Sequence, residues 1–200
     1  MLRFVFTAIG LVALLFATPG YADTEPYQLR TGESVAVVVA RHYGDKSYLP
    51  ILMRHARIRP RARTVQLPSL RQILFEQKVQ SLEPNAFEKI LQAQEEFLVA
   101  SRANSPACDL SRKWQPKERQ AFEQAAKEVN DAVALLSEMQ PVPRGITVHL
   151  SRAGASLQEL GDKSGRPSCK AIGFIHKRFA SALYASLVWA NQQRRSQARG

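Results

Sequence analysis

The sequence predicts an α+β protein, in which a small βααβ module precedes a mainly α-helical bundle. Two alternating stretches, Tyr27–Arg30 and Thr64–Leu67, bracket two apolar runs of helical spacing. Composition changes after Pro68, where charge is more balanced and long stripes of period 3.6 take over. Ahead of both, the first residues carry the pattern of an export signal.

That opening segment reads MLRFVFTAIGLVALLFATPGYA, with Arg3, an apolar run, and then Pro19-Gly20-Tyr21-Ala22. A positive start, an apolar middle and small residues at a cleavage point are the parts of a secretory signal peptide, so residues 1–22 are read as one. The run from Phe4 to Ala17 is shorter than the roughly 20 residues that a membrane-spanning helix needs. An uncleaved anchor is the alternative. With no cysteine directly after the run, a lipoprotein is not expected. The mature chain then begins near Asp23, periplasmic or secreted, with no transmembrane span.

Cleavage would remove Arg3 and no acid, taking the formal charge from +11 to +10. So much positive charge outside the cytoplasm points to anionic envelope polymers and membrane surfaces. Much of it is local. Arg30, Arg41, Lys46, Arg54, Arg57, Arg59, Arg61 and Arg63 face only Glu33 and Asp45 between Tyr27 and Pro68. Nucleic acid is the weaker reading, because the arginine run has no interleaved aromatics for base stacking.

Within residues 23–68, Tyr27-Gln-Leu29-Arg alternates as a strand, and Thr31-Gly-Glu-Ser34 is a turn able to cap a helix. VAVVVARHYG gives about two helical turns ending at Gly44, a C-cap residue. Asp45 or Ser47 starts a second helix, with Leu49, Leu52 and Met53 at helical spacing and Pro60 as its stop. Thr64–Leu67 alternates again, and Pro68 ends it.

Residues 69–200 form the helical domain. SLRQILFEQKVQSL puts Leu70, Ile73, Leu74 and Val79 on one face. Asn85 and Glu88 form a capping-box pattern before a stripe of Phe87, Ile90, Leu91, Phe97 and Leu98. Pro116 opens another helix, running to about Met139, with Phe122, Val129, Val133 and Leu136 inward. Ile146–Leu150 alternates like a strand but could equally be an extended connector. The stretch after it is polar and glycine-rich. A final helix from Cys169 to about Gln193 is apolar on more than one face, as suits the centre of a bundle. Arg194, Arg195 and Arg199 form its basic end.

The two cysteines, Cys108 and Cys169, read as one disulfide in an oxidising compartment. It would close a loop of about 60 residues and contribute roughly 4 kcal/mol through the unfolded state. The alternative, a catalytic thiol with His149 or His176 as base, lacks a local nucleophile signature.

Residues 27–68 resemble the LysM domain family. The likeness rests on Tyr27, Gly32-Glu33-Ser34-Val35, Tyr43-Gly44-Asp45, Tyr48-Leu49-Pro50-Ile51 and Val65-Gln66-Leu67-Pro68. It departs from the family at His55, where asparagine is usual, at Pro60-Arg61, where Pro-Gly is usual, and at Ala36, where tryptophan is frequent. The resemblance implies binding of peptidoglycan or a related N-acetylglucosamine polymer in a shallow groove. One wall would be Gly32, Glu33, Ser34 and Val35, the other Arg57, Ile58, Arg59 and Pro60. Turns with exposed backbone offer the donors, acceptors and apolar contact that acetamido groups need. Arg54, Arg61 and Arg63 are candidate contacts to anionic polymer. If extended, Arg57, Arg59, Arg61 and Arg63 lie on one face, able to pair with carboxylate or phosphate. The bland reading of that row is a charged sheet edge that blocks association.

No Ser/His/Asp order, phosphate loop or metal-ligand spacing occurs among the histidines and acids, so no catalytic residue, metal or cofactor is expected. Glu88, Glu95 and Glu96 are read as exposed helix carboxylates rather than glycosidase acids. The sequence therefore predicts a non-enzymatic envelope protein that binds glycan and meets an envelope protein partner through its helical domain. The alternative is an envelope scaffold whose N-terminal fold mediates protein association.

Overall fold

The computed structural model describes residues 26–79, 83–102, 115–162 and 169–198. The expected signal segment and Cys108 lie outside them. In chain order the elements are β1 (Tyr27–Gln28), α1 (Val35–Tyr43), a 3-10 turn (Lys46–Tyr48), α2 (Leu49–His55), β2 (Thr64–Val65), α3 (Leu70–Glu76), α4 (Pro84–Arg102), α5 (Pro116–Ser137), α6 (Arg144–Asp162) and α7 (Cys169–Gln197).

The α+β expectation is overturned. The described chain is mostly helical, with seven α-helices, and its sheet is one antiparallel pair of two-residue strands, Tyr27 opposite Val65 and Gln28 opposite Thr64. One further bond, Leu29 N–H to the Arg63 carbonyl at 2.8 Å, extends the ladder. So short a pairing is a clip between chain segments and cannot bury a face of its own. The expected βααβ module is not formed as a separate unit. Val35, Val39, Tyr48 and Ile51 belong to the same buried cluster as Phe97, Phe122 and Phe179 of the helices behind them.

Local chemistry sets the early elements. Ser34 caps α1 in an extended conformation and accepts from Val37 N–H at 3.3 Å. Gly44 ends α1 at φ +91°, and a Cβ there would overlap the His176 ring and approach Leu98 Cδ1 at 2.8 Å. The turn is thus pressed directly against α4 and α7. Asp45 caps the 3-10 turn through Ser47 N–H at 2.7 Å. The second helix stops at His55, five residues before Pro60, because Arg57 adopts φ +55°. The α3 helix also ends early. Lys78 lies at φ +53°, Val79 N–H bonds the Leu74 carbonyl at 3.0 Å, and Lys78 N–H bonds that of Phe75 at 2.9 Å. That pair of bonds is a Schellman closure, and it leaves Val79 fully buried just beyond the helix.

Two further expectations are corrected. Ile146–Leu150 is neither strand nor connector but the first turns of α6, where Ile146, Leu150, Ala153, Leu157 and Leu160 are all buried. Their spacing over fifteen residues is helical, and it prevails over the local alternation of β-branched residues. The glycines after them are part of the helix. A Cβ on Gly154 would lie 2.9 Å from Asn130 Oδ1, and one on Gly161 would lie 2.6 Å from Glu123 Cγ, so both let α6 approach α5 closely. At the start of α4, Pro84 is the first helical residue, and Asn85 is not the cap. Glu88 pairs with Arg71 of α3 instead, with Arg71 Nη2 at 2.9 Å from Oε1.

The long helices meet through the stripes that the sequence displays. Phe87, Ile90, Leu91 and Phe97 of α4 and Phe122, Val129 and Leu136 of α5 are buried. Lys89 bridges α4 to α5, with Nζ 2.8 Å from Glu128 and 3.2 Å from Asp131. Along α7, Ile175, Phe179, Leu183 and Leu187 are buried, while Trp189 is partly open and Phe174 exposed. His176 is buried, its ring 4.6 Å from Phe97 and 6.2 Å from Tyr48. Cys169 opens α7 and is disulfide-bonded. Among the described residues no helix is long and apolar enough to cross a membrane.

Candidate functional site

The first expected wall, Gly32 to Val35, is the turn between β1 and α1. Gly32 takes φ +80° with open space around it, and Glu33 N–H returns to the Arg30 carbonyl at 3.0 Å. Glu33 is fully engaged. Its Oε2 accepts from Tyr27 Oη at 2.9 Å and from Arg30 N–H at 3.1 Å, and its Oε1 lies 2.8 Å from Arg41 Nη2. The Arg30 backbone N–H first, then the Tyr27 hydroxyl and Arg41, hold its carboxyl below the ordinary value. Ser34 is occupied as a helix cap, and Val35 is 1% exposed in the core. This turn therefore presents Gly32 and backbone, while its three side chains, Glu33, Ser34 and Val35, do structural work.

The second wall is the loop after α2. Ile58 is buried and pins the loop, with its N–H 3.3 Å from the Leu52 carbonyl, whereas Arg57, Arg59 and Pro60 are exposed. Ala62 N–H closes a turn onto the Arg59 carbonyl at 3.0 Å. With Arg57 left-handed and a turn at Arg59–Ala62, the arginines do not alternate along one extended strand. They are exposed nonetheless, as are Arg61 and Arg63. Arg54 points elsewhere. Its Nη1 lies 2.6 Å from Tyr184 Oη, and its guanidinium carbon is 5.6 Å from that ring's centre.

The loop begins and ends at a polar recess of about 360 Å³, whose lining includes His55, Arg57, Gln66, Gln72, Glu76 and Gln77. Two of these sit one turn apart on α3, where Gln72 Nε2 donates to Glu76 Oε1 at 2.9 Å. Burial first, then the Arg54 guanidinium, hold the His55 imidazole below its ordinary value, against a hydrogen bond with the Gln77 side chain that raises it. Its Nε2 is buried with no hydrogen-bond partner among the described residues. Sequence reasoning named Arg57 alone of this set for the site. The missed signal was Gln72 and Glu76 at i and i+4 on the polar side of a short helix, beside the strand end at Gln66.

A second concavity, open and mostly apolar, runs along α7. One part of about 650 Å³ is lined by Pro141, Pro143, Ile146, Val188 and Trp189 among others. It meets a part of about 390 Å³ at Tyr184 and Ala185, where Pro50, Ile51 and His149 form the other side. Burial, followed by Arg178 and Arg152, keeps the His149 imidazole below its ordinary value, with Arg178 Nη1 3.3 Å from Nδ1. Among the described residues no three His, Cys, Asp or Glu side chains stand close enough together to hold a metal ion.

No family model matches the chain, and neither a curated protein nor a solved structure does.

Proposed function

We propose that this chain is an exported, non-catalytic envelope protein that binds peptidoglycan through the segment between α2 and α3. The carrying observation is that Arg57, Arg59, Arg61 and Arg63 stand exposed on one loop, anchored at its ends by buried Ile58 and Val65. Guanidinium groups match carboxylates in pairs of parallel hydrogen bonds, and peptidoglycan stems carry carboxylates. The likeness of residues 27–68 to LysM sequences supports the ligand class. The βααβ architecture expected with it is no part of the proposal.

Sedimentation with insoluble peptidoglycan tests the reading. The purified protein is expected to pellet, in part even at 1 M salt, where the Debye length falls to about 3 Å. The double variant Arg59→Glu, Arg61→Glu is expected to pellet less at low salt. Pelleting that vanishes with salt would reduce the interaction to charge attraction, and no pelleting at either salt would overturn the proposal. Release of soluble fragments would contradict the non-catalytic part.

A second reading, an envelope scaffold that associates with protein, is favoured by the open apolar groove along α7. Such concavities rimmed by polar residues are frequent at protein contacts.

A further inference from the structure

We propose that the apolar groove along α7 docks an amphipathic helix of a partner protein, its apolar stripe against α7 and acidic residues on its flanks. This rests on the scaffold reading above, adds the partner's chemistry, and is independent of the glycan. The last helix has more apolar surface than the core uses. Phe179, Leu183, Leu187 and Ala190 are buried on its inner face. Tyr184, Ala185, Val188 and Trp189 are only half-buried and line the groove. A helix apolar on more than one face is normally covered on each.

Shape favours a helical occupant. Tyr184 and Ala185 belong to both parts of the concavity, so the two parts are continuous. The lining residues of α7 run from Ala180 to Ser196, which spans about 24 Å at 1.5 Å per residue. Pro143 and Ile146 of the α6 start flank one part, and Pro50 and Ile51 of α2 flank the other. That length holds about four turns of a second helix, whose i, i+3, i+4 and i+7 side chains would fill the furrow. Aromatic side chains such as Trp189 and Tyr184 carry much of the energy at contacts of this kind.

Charge selects the partner. Arg144 lines the wide part, and Arg54 of α2 holds the Tyr184 hydroxyl. Arg178 and Arg152 both act on His149, which lines the narrow part. No Asp or Glu lines either part. Among the described residues no carboxylate forms an ion pair with any of these four arginines. Two acids are close in sequence. Asp45 is occupied in capping Ser47, and Glu138 is exposed three residues before Pro141. Guanidiniums from α2, α6 and α7 therefore stand around an apolar floor. That field attracts carboxylates, and a chain of net charge +11 repels a second copy of itself.

The test is a selection against the purified protein from a phage-displayed library of helix-permissive peptides of about 16 residues, the length of the floor. Enriched sequences should combine an excess of Asp and Glu with apolar residues at helical spacing. A synthetic peptide of the enriched sequence should bind about tenfold more weakly to Val188→Glu, which places a carboxylate on the floor, and to the exposed pair Arg144→Glu, Arg152→Glu. The control pair Lys117→Glu, Lys127→Glu makes the same charge change on α5, outside the lining, and should alter affinity less than about twofold. Melting curves establish which variants are folded, and either groove variant suffices. No enrichment, or binding indifferent to both groove variants, overturns the docking helix and the scaffold reading together. Neutral or basic peptides that lose binding in Val188→Glu overturn the acidic partner alone and leave the groove as a protein contact. Dimers of the unliganded protein, or binding to phosphatidylglycerol vesicles, that Val188→Glu abolishes would give the groove to a second copy or to lipid and overturn the proposal.

Discussion

At the residue scale, Glu33 shows how a candidate ligand group can be spent on structure. Its carboxylate collects a backbone N–H, a phenol and a guanidinium, so the ionised form is favoured in the folded chain. A folded-state pKa below the unfolded one gives stability that is present above about pH 4.5 and lost as pH falls through the lower folded value. Glu33→Gln should therefore flatten the acid side of the melting-temperature profile between about pH 5 and pH 3. An unchanged profile would show that the network does not act on folding. Gly44 makes a harsher prediction. Alanine there meets a strained φ and collides with His176, so Gly44→Ala should cost about 2–4 kcal/mol, read by urea unfolding. Arg57, by contrast, has a left-handed backbone with no such enclosure. Arg57→Gly should gain up to about 1 kcal/mol of stability while weakening peptidoglycan pelleting. A gain in both would remove Arg57 from the binding surface.

At the element scale, what was legible depended on the length of the pattern. Stripes of fifteen residues or more, such as Phe122, Val129 and Leu136, identified α4, α5 and α7 and their inward faces. Short alternations were the weaker guide. Thr64–Leu67 became a two-residue strand, and Ile146–Leu150 became helix, because tertiary burial over a longer span decides which local preference survives. Gly154 and Gly161 looked like loop signals for the same reason. Their role, closeness between α5 and α6, exists only once two helices are packed. Gly154→Val should accordingly lower the melting temperature by roughly 4–10 °C, the effect of a clash with Val129 and Asn130. The exposed arginines were readable in one dimension. The recess was not, since Gln66, Gln72 and Gln77 come together only through the bend between β2 and α3.

At the scale of the whole molecule, the N-terminal elements do not carry a core of their own. Tyr48 is completely buried with His176 of α7 beside it, and Arg54 reaches Tyr184 on the same helix. A fragment comprising residues 23–79 would expose these surfaces to water, and so short a chain has little burial to spare. It should show collapsed amide dispersion by NMR, whereas the entire chain should be well dispersed. A fragment with native-like dispersion would refute the shared core.

Tyr184 sits where these dependencies meet, since its ring walls the apolar groove while its hydroxyl holds an arginine from the opposite half. The side chain that lines that channel also tethers the end of α2, and the arginine loop leaves α2 two residues later. The apolar channel and the helix end that leads into the cationic loop thus share one phenol.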